Sequence, residues 1–214
     1  MGDVDDGHDG TLRDPDRERA WIVTAIDAWS NVPALIRDRH LTVVAANPLA
    51  RALSRCFLPG VNLARFAFLV AIEFERDGSH EHLRSEVAAM LRDSLDQHEE
   101  DAPFRELVGE LSARSPAFAR AWATEVRPRR SGSATFEDTP VGSIALAFRE
   151  VWIDRTHDDV LMLWRGEDAS SAERLRELAR SVEERENLGA AGGSDLGNGG
   201  AGSSDQFIER PRTG

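Results

Sequence analysis

Lysine and tyrosine are missing from this 214-residue chain, and cysteine occurs once. Without lysine there is no Schiff-base nucleophile and no P-loop lysine. All 26 basic side chains are arginine, the mark of a GC-rich genome rather than of a mechanism. A lone Cys56 cannot close an internal disulfide, which fits a reducing compartment. No apolar run approaches the ~20 residues needed to span a bilayer. The acidic, polar N-terminus does not read as a secretory signal. Together these absences predict a cytoplasmic protein with no membrane role.

Positive charge is also in short supply. Acids outnumber arginines to a net charge of −12. The excess is spread over the body and is not confined to the ends: residues 1–20 carry −4, residues 187–214 carry −1, and the remainder is still acidic. Such a surface repels a phosphate backbone, so direct nucleic-acid binding by this chain is not expected.

What is present is the composition of an ordinary globular domain, 41% hydrophobic and 30% charged. Residues 1–20 lack apolar periodicity and are expected to form a disordered acidic tail; residues 187–214 are rich in Gly and Ser and are expected to form a flexible one. Between them, residues 21–186 read as one domain. A helix over 21–29 should bury Trp21, Ala25 and Trp29 at i, i+4, i+8. The run from Pro33, through a polar turn at Asp38 and Arg39, to Ala46 reads as a hairpin. Asn47-Pro48 can cap a helix reaching about Cys56, and Asn62 can cap another carrying Leu63, Phe66, Leu69, Val70 and Phe74.

Further helices are expected from Ser79, with Leu83, Val87, Met90, Leu91 and Leu95 inward, from Pro103, and from Ser115-Pro116, where Phe118 and Trp122 share a face. The period then changes to two. A short strand over 134–136 is followed by alternation over 143–153, with Ile144, Leu146 and Phe148 on one side, and by a buried strand over 160–164. Ser170 and Glu173 offer a capping box for a last helix with Leu175, Leu178 and Val182 inward. Two strand clusters flanking a helical insert predict an α+β fold, with about five antiparallel strands and helices packed on them.

Motifs of catalysis and ligation are weak. Residues 197–202 match G-x-G-x-x-G, but they lie in a Gly/Ser tail rather than between a strand and a helix. His80-Glu81-His82 has spacing i, i+2, which points two helical ligands apart, and Arg84 stands where H-E-x-x-H needs histidine. No G-x-S-x-G elbow occurs. Cys56 reads as a small buried hydrophobe. No catalytic residue, metal site or cofactor is expected, and the chain is read as a non-enzyme. Arg127, Arg129 and Arg130 form the one basic cluster, either a clamp for an anionic head group or a surface turn paired with nearby acids.

Residues 110–122, ELSARSPAFARAW, followed by VRPRRSG over 126–132, a short strand, PVG over 140–142 and the Leu146-Ala147-Phe148 strand, resemble the ligand-binding domains of MmyB-like transcription regulators. The early hairpin with VVAAN at 43–47 fits as well, and the likeness extends over about residues 25–179. The resemblance implies a PAS-like fold that holds an apolar, fatty-acid-like molecule between sheet and helices. It also implies a place in bacterial regulators of the Xre type, whose helix-turn-helix precedes the sensor. The acidic segment before Trp21 does not fit such a headpiece, so signalling through a homodimer face or a separate DNA-binding partner is expected. Tyrosines of the late strands are replaced by Phe148 and Trp164. The expected ligand-binding set is Trp29, Leu35, Val44, Phe66, Phe68, Trp122, Phe148 and Trp164, with Arg130 for a polar head. The alternative is a ligand-free interaction or dimerisation module on the same fold.

Overall fold

A computed structural model describes residues 15–70, 79–98, 100–124, 126, 129–153 and 158–193. Helix α1 (Pro15–Asp27) leads into strands β1 (Ala34–Asp38) and β2 (Val43–Ala46). The helical insert follows: α2 (Pro48–Leu53), a 3-10 turn (Arg55–Phe57), the short α3 (Leu63–Arg65), a π-helical turn (Phe66–Val70), α4 (Ser79–Gln97), α5 (Ala102–Arg114) and α6 (Pro116–Ala123). Strands β3 (Ser131–Thr139), β4 (Gly142–Trp152) and β5 (Asp159–Gly166) complete the sheet, and α7 (Ala169–Gly193) closes the described chain.

All pairings are antiparallel and the strand order is β2-β1-β5-β4-β3. The returning β5 therefore sits in the middle, against β1 on one side and β4 on the other. This is the expected α+β, PAS-like architecture: one five-stranded sheet whose first hairpin and last three strands are separated by the insert.

The two faces of the sheet do different work. The inner face, towards the insert, carries Leu35, Ile144, Leu146, Met162 and Trp164 in one continuous core with Phe68, Leu91, Phe104, Leu111 and Phe118 of the insert. Each of those five insert residues is essentially sealed from solvent. The outer face carries Ala34, Ile36 and Ala45, covered by Ile26 of α1 with Ile22 and Val23 beside it. Helix α7 adds Leu175, Leu178 and Val182 to the inner core, as its pattern predicts.

Several caps were legible. Asn47 accepts from Ala50 N at 2.9 Å, Asn62 from Arg65 N at 3.0 Å, and Ser115 from Phe118 N at 3.2 Å. Other expectations are corrected. Helix α1 starts at Pro15, and Trp21 is 71% exposed and Trp29 38% exposed. The helix presents Ile22, Val23 and Ile26 to the sheet, a competing stripe that packs on Ala34, Ile36 and Ala45. The last helix is capped by Asp168, which accepts from Ser171 N at 2.7 Å, and it runs on to Gly193. Leu83 is exposed, and buried Glu86 takes an inward place on α4. Phe74, the G-x-G-x-x-G match and residues 1–14 lie outside the described residues.

The hairpin turn is tied to the insert by charge. Asp101 caps α5 by accepting from Phe104 N at 2.9 Å, and it also meets Arg39 Nη2 at 2.5 Å and His40 Nε2 at 3.0 Å. The Phe104 N–H first, then His40 and Arg39, hold its carboxyl below the usual Asp range against a smaller opposing effect of burial. A lowered folded-state pKa contributes stability above the ordinary value, and that stability is lost as pH falls through the folded one. Asp101→Asn keeps the cap acceptor and removes the charge. It is expected to lower the melting temperature at pH 7. The gap from wild type should then close as pH falls from about 4, the ordinary Asp value, towards the lowered folded value. Melting curves across pH check this; a gap independent of pH would remove the charge from the account.

Candidate functional site

The inner face of the sheet has an aromatic half and a charged end. The aromatic half follows from register. Phe148 of β4 sits directly opposite Trp164 of β5 on one side and Gly132 of β3 on the other, and Phe136 of β3 pairs with Ile144. Their rings meet: Phe148–Trp164 centroids are 5.2 Å apart and Phe136–Trp164 centroids 5.3 Å. From the 3-10 turn, Phe57 closes on both Phe136 and Trp164, each at 5.6 Å. Tilted and edge-on rings at this spacing are the favourable arrangements. Gly132 allows the Phe148 ring to lie on the β3 backbone; a Cβ there would stand 2.9 Å from Phe148 Cε1.

At the edge of this aromatic half opens a cleft of about 360 Å³, lined by Phe148, Gly132, Ser133 and Ala147 from the strands, by Glu86 of α4, and by Arg129 and Glu167. Glu86 is buried, and Arg129 Nε lies 3.8 Å from its Oε1. The Trp164 side chain behind Phe148 is 5% exposed. Its indole Nε1–H is buried and has no hydrogen-bond partner among the described residues.

The charged end lies one step along the same face. Arg37 of β1 reaches across β5 to Glu150 of β4, with Nη2 at 3.0 Å and Nε at 3.3 Å from Oε1. Both side chains are 6% exposed. Arg37 also donates to Asp38 O at 3.3 Å. A buried pair in a low-dielectric setting holds only while both members are present.

The expected ligand residues divide. Leu35, Phe68 and Trp164 lie in the inner core, with Trp122 and Phe148 packed against it. Phe68 meets Phe118 edge-on at 5.0 Å, and Trp122 stacks on Phe118 at 5.3 Å with the Arg92 guanidinium above it. Phe68 and Trp122 are thus packed into the insert, away from the cleft lining. Phe66 is half-buried at the start of the π-helical turn. Val44 packs on the outer cluster instead, because a bulge between Ile36 and Arg37 leaves it the extra residue of β2. Trp29, 38% exposed, belongs to neither apolar cluster; its carbonyl accepts from Asn47 Nδ2 at 2.9 Å. Arg130 stacks on the exposed Trp152 ring at 3.4 Å and lies 3.6 Å from Asp93. Of the basic cluster, then, Arg130 takes the surface role and Arg129 reaches the cleft; Arg127 lies outside the described residues.

Sequence reading missed Phe57, Phe136, Gly132, Glu86 and the Arg37–Glu150 pair. One signal was available: an acid at position 86 on the inward stripe of an amphipathic helix is a charge where a hydrophobe belongs. The remainder depends on register.

Burial raises the Cys56 thiol to about 11, so it is a packed, protonated side chain bonded to Ser54 Oγ at 3.1 Å. Among the described residues no group of His, Cys, Asp and Glu is arranged to hold a metal ion. No helix among them is long and apolar enough to cross a membrane.

No curated protein matches the chain. The family model of the MmyB-like transcription regulator ligand binding domain matches residues 19–178. That span takes in most of α1, all five strands, the whole insert and the first turns of α7. With three quarters of its length accounted for in this way, the chain belongs to the MmyB-like transcription regulator ligand binding domain family.

Proposed function

We propose that this domain senses an apolar, acyl-like small molecule held between the inner face of β3–β5 and helix α4, and that occupancy is read out by a DNA-binding element through a change at a homodimer face or a partner surface. Its role is regulatory binding rather than catalysis. The observation that carries the reading is the cleft beside Phe148. Its volume of about 360 Å³ falls in the range of small-molecule sites, and Phe148 in its wall joins it to the aromatic half of the inner face, beside the charged Glu86, Arg129 and Glu167. A fatty-acid-like ligand is the expectation that comes with the family.

A ligand-free interaction module is the second reading, favoured by the dense packing of Phe68, Phe104 and Phe118 in the insert. Denaturing the purified protein and analysing the extract by mass spectrometry separates the two. The sensor reading expects an apolar molecule in near-stoichiometric amount. It also expects a melting temperature that rises with added acyl ligand, equivalent to about 2.7 kcal/mol at a hundredfold excess over Kd. A clean extract, together with a melting temperature that no acyl compound moves, would overturn it in favour of the interaction module.

A further inference from the structure

We infer that the Trp164 indole is the hydrogen-bond donor of the sensor site, and that the ligand therefore presents a neutral oxygen acceptor, such as an ester or ketone carbonyl, to the aromatic half of the inner face. The inference rests on the ligand-sensing reading above and specifies its chemistry. A buried indole N–H without an acceptor is costly, and native interiors rarely leave one so. Trp164 Nε1 is in that state although its ring is held on three sides by Phe57, Phe136 and Phe148. None of those rings offers an oxygen. Phe148 both lines the cleft and packs on Trp164, so a single half-buried ring separates the cleft from the indole.

The chemistry of the donor selects the ligand. Indole donates one hydrogen bond and accepts none, whereas a phenol does both. The ligand group must accept. A carboxylate placed there would be desolvated among rings without a cation. Arg37, the buried cation of the inner face, is already engaged by Glu150. At the cleft, Glu86 and Glu167 outweigh Arg129 and further disfavour an anion. A neutral carbonyl suits the donor, and an alkyl or aryl body suits the rings.

The test uses three probes on the full chain: methyl decanoate, decanoate, and undecane as the acceptor-free control. The five indole N–H resonances are followed by 15N-tryptophan NMR, and the one lost in Trp164→Phe is assigned to Trp164. Methyl decanoate is expected to move the Trp164 indole resonance downfield while undecane binds without that shift. In Trp164→Phe, ester affinity relative to undecane should fall about five- to tenfold, one hydrogen bond's worth. Taking the ratio removes the effect of the smaller ring on packing. Ester binding with an unmoved Trp164 resonance and an unchanged ratio would overturn the inference alone. Decanoate binding tighter than the ester, again with that resonance unmoved, would also overturn it by placing the head group elsewhere. Failure of all three probes to bind would overturn the acyl-sensing reading and this inference with it.

Discussion

Glu150→Ala is expected to lower stability by about 3–5 kcal/mol, because it strands the Arg37 guanidinium in the inner face with its charge uncompensated. The loss should appear as a lower urea midpoint at unchanged slope. Arg37→Met combined with Glu150→Leu is expected to return to within about 1 kcal/mol of wild type or to exceed it, since an apolar pair of similar volume avoids the desolvation that the ions undergo. The contrast between single and double variants is the informative result. A single-variant cost below about 1 kcal/mol, the range of exposed pairs, would show that water reaches the pair in solution. The pair also bounds the aromatic half of the face. The double variant should therefore retain affinity for an apolar ligand, and a loss would place the ligand at the charged end instead.

Asn47→Ala is the second large effect, expected to cost about 3 kcal/mol or more as several buried partners lose their bonds together. Asn47 is fully buried at the junction of α1, β1 and α2. Its Oδ1 accepts from Ala50 N at 2.9 Å and from Ala34 N at 3.2 Å. Its Nδ2 faces three carbonyls, Val32 O at 2.7 Å, Trp29 O at 2.9 Å and Ile26 O at 3.3 Å. At an ordinary helix N-cap, Asp serves as well as Asn. Here an aspartate would turn a second oxygen towards those carbonyls, so Asn47→Asp is expected to be at least as damaging as Asn47→Ala. Rescue by Asp in thermal unfolding would mean that the cap alone matters and that the anchoring of the chain between α1 and β1 does not.

The position of Asn47 shows what a sequence states openly. Asn before Pro, after a β-branched run, announces a strand end and a helix start, and both are found there. Ser115-Pro116 and the alternation through Ile144, Leu146 and Phe148 are equally local signals, each satisfied within a few residues of backbone. The side of the sheet that a residue faces is less local. Val43 and Val44 are chemically alike, and only the bulge opposite Arg37 assigns Val44 to the outer face. Residues 21–29 offer two apolar stripes in the sequence, and tertiary packing chose the aliphatic one over the tryptophans, the helix ending at Asp27 before Trp29.

The site was the least legible part because its members are distant in sequence. Arg37 and Glu150 are 113 residues apart, and each alone looks like a polar strand position. Phe57 joins Phe136 and Trp164 only when a 3-10 turn folds back onto β3 and β5. Phe148 and Trp164 were visible as candidates because the family resemblance had already drawn attention to the late strands. The unsatisfied indole that gives Trp164 its chemistry could be seen only in three dimensions.

The central claim is that the ligand lies on the inner face, against β3, β4 and α4. Hydrogen–deuterium exchange on the purified protein, with and without the molecule released on denaturation, tests it most directly. The account predicts slowed exchange over residues 86–91 and 132–148, with residues 15–27 of α1 on the opposite face unchanged. Protection confined to α1, with residues 86–91 and 132–148 unchanged, would contradict it.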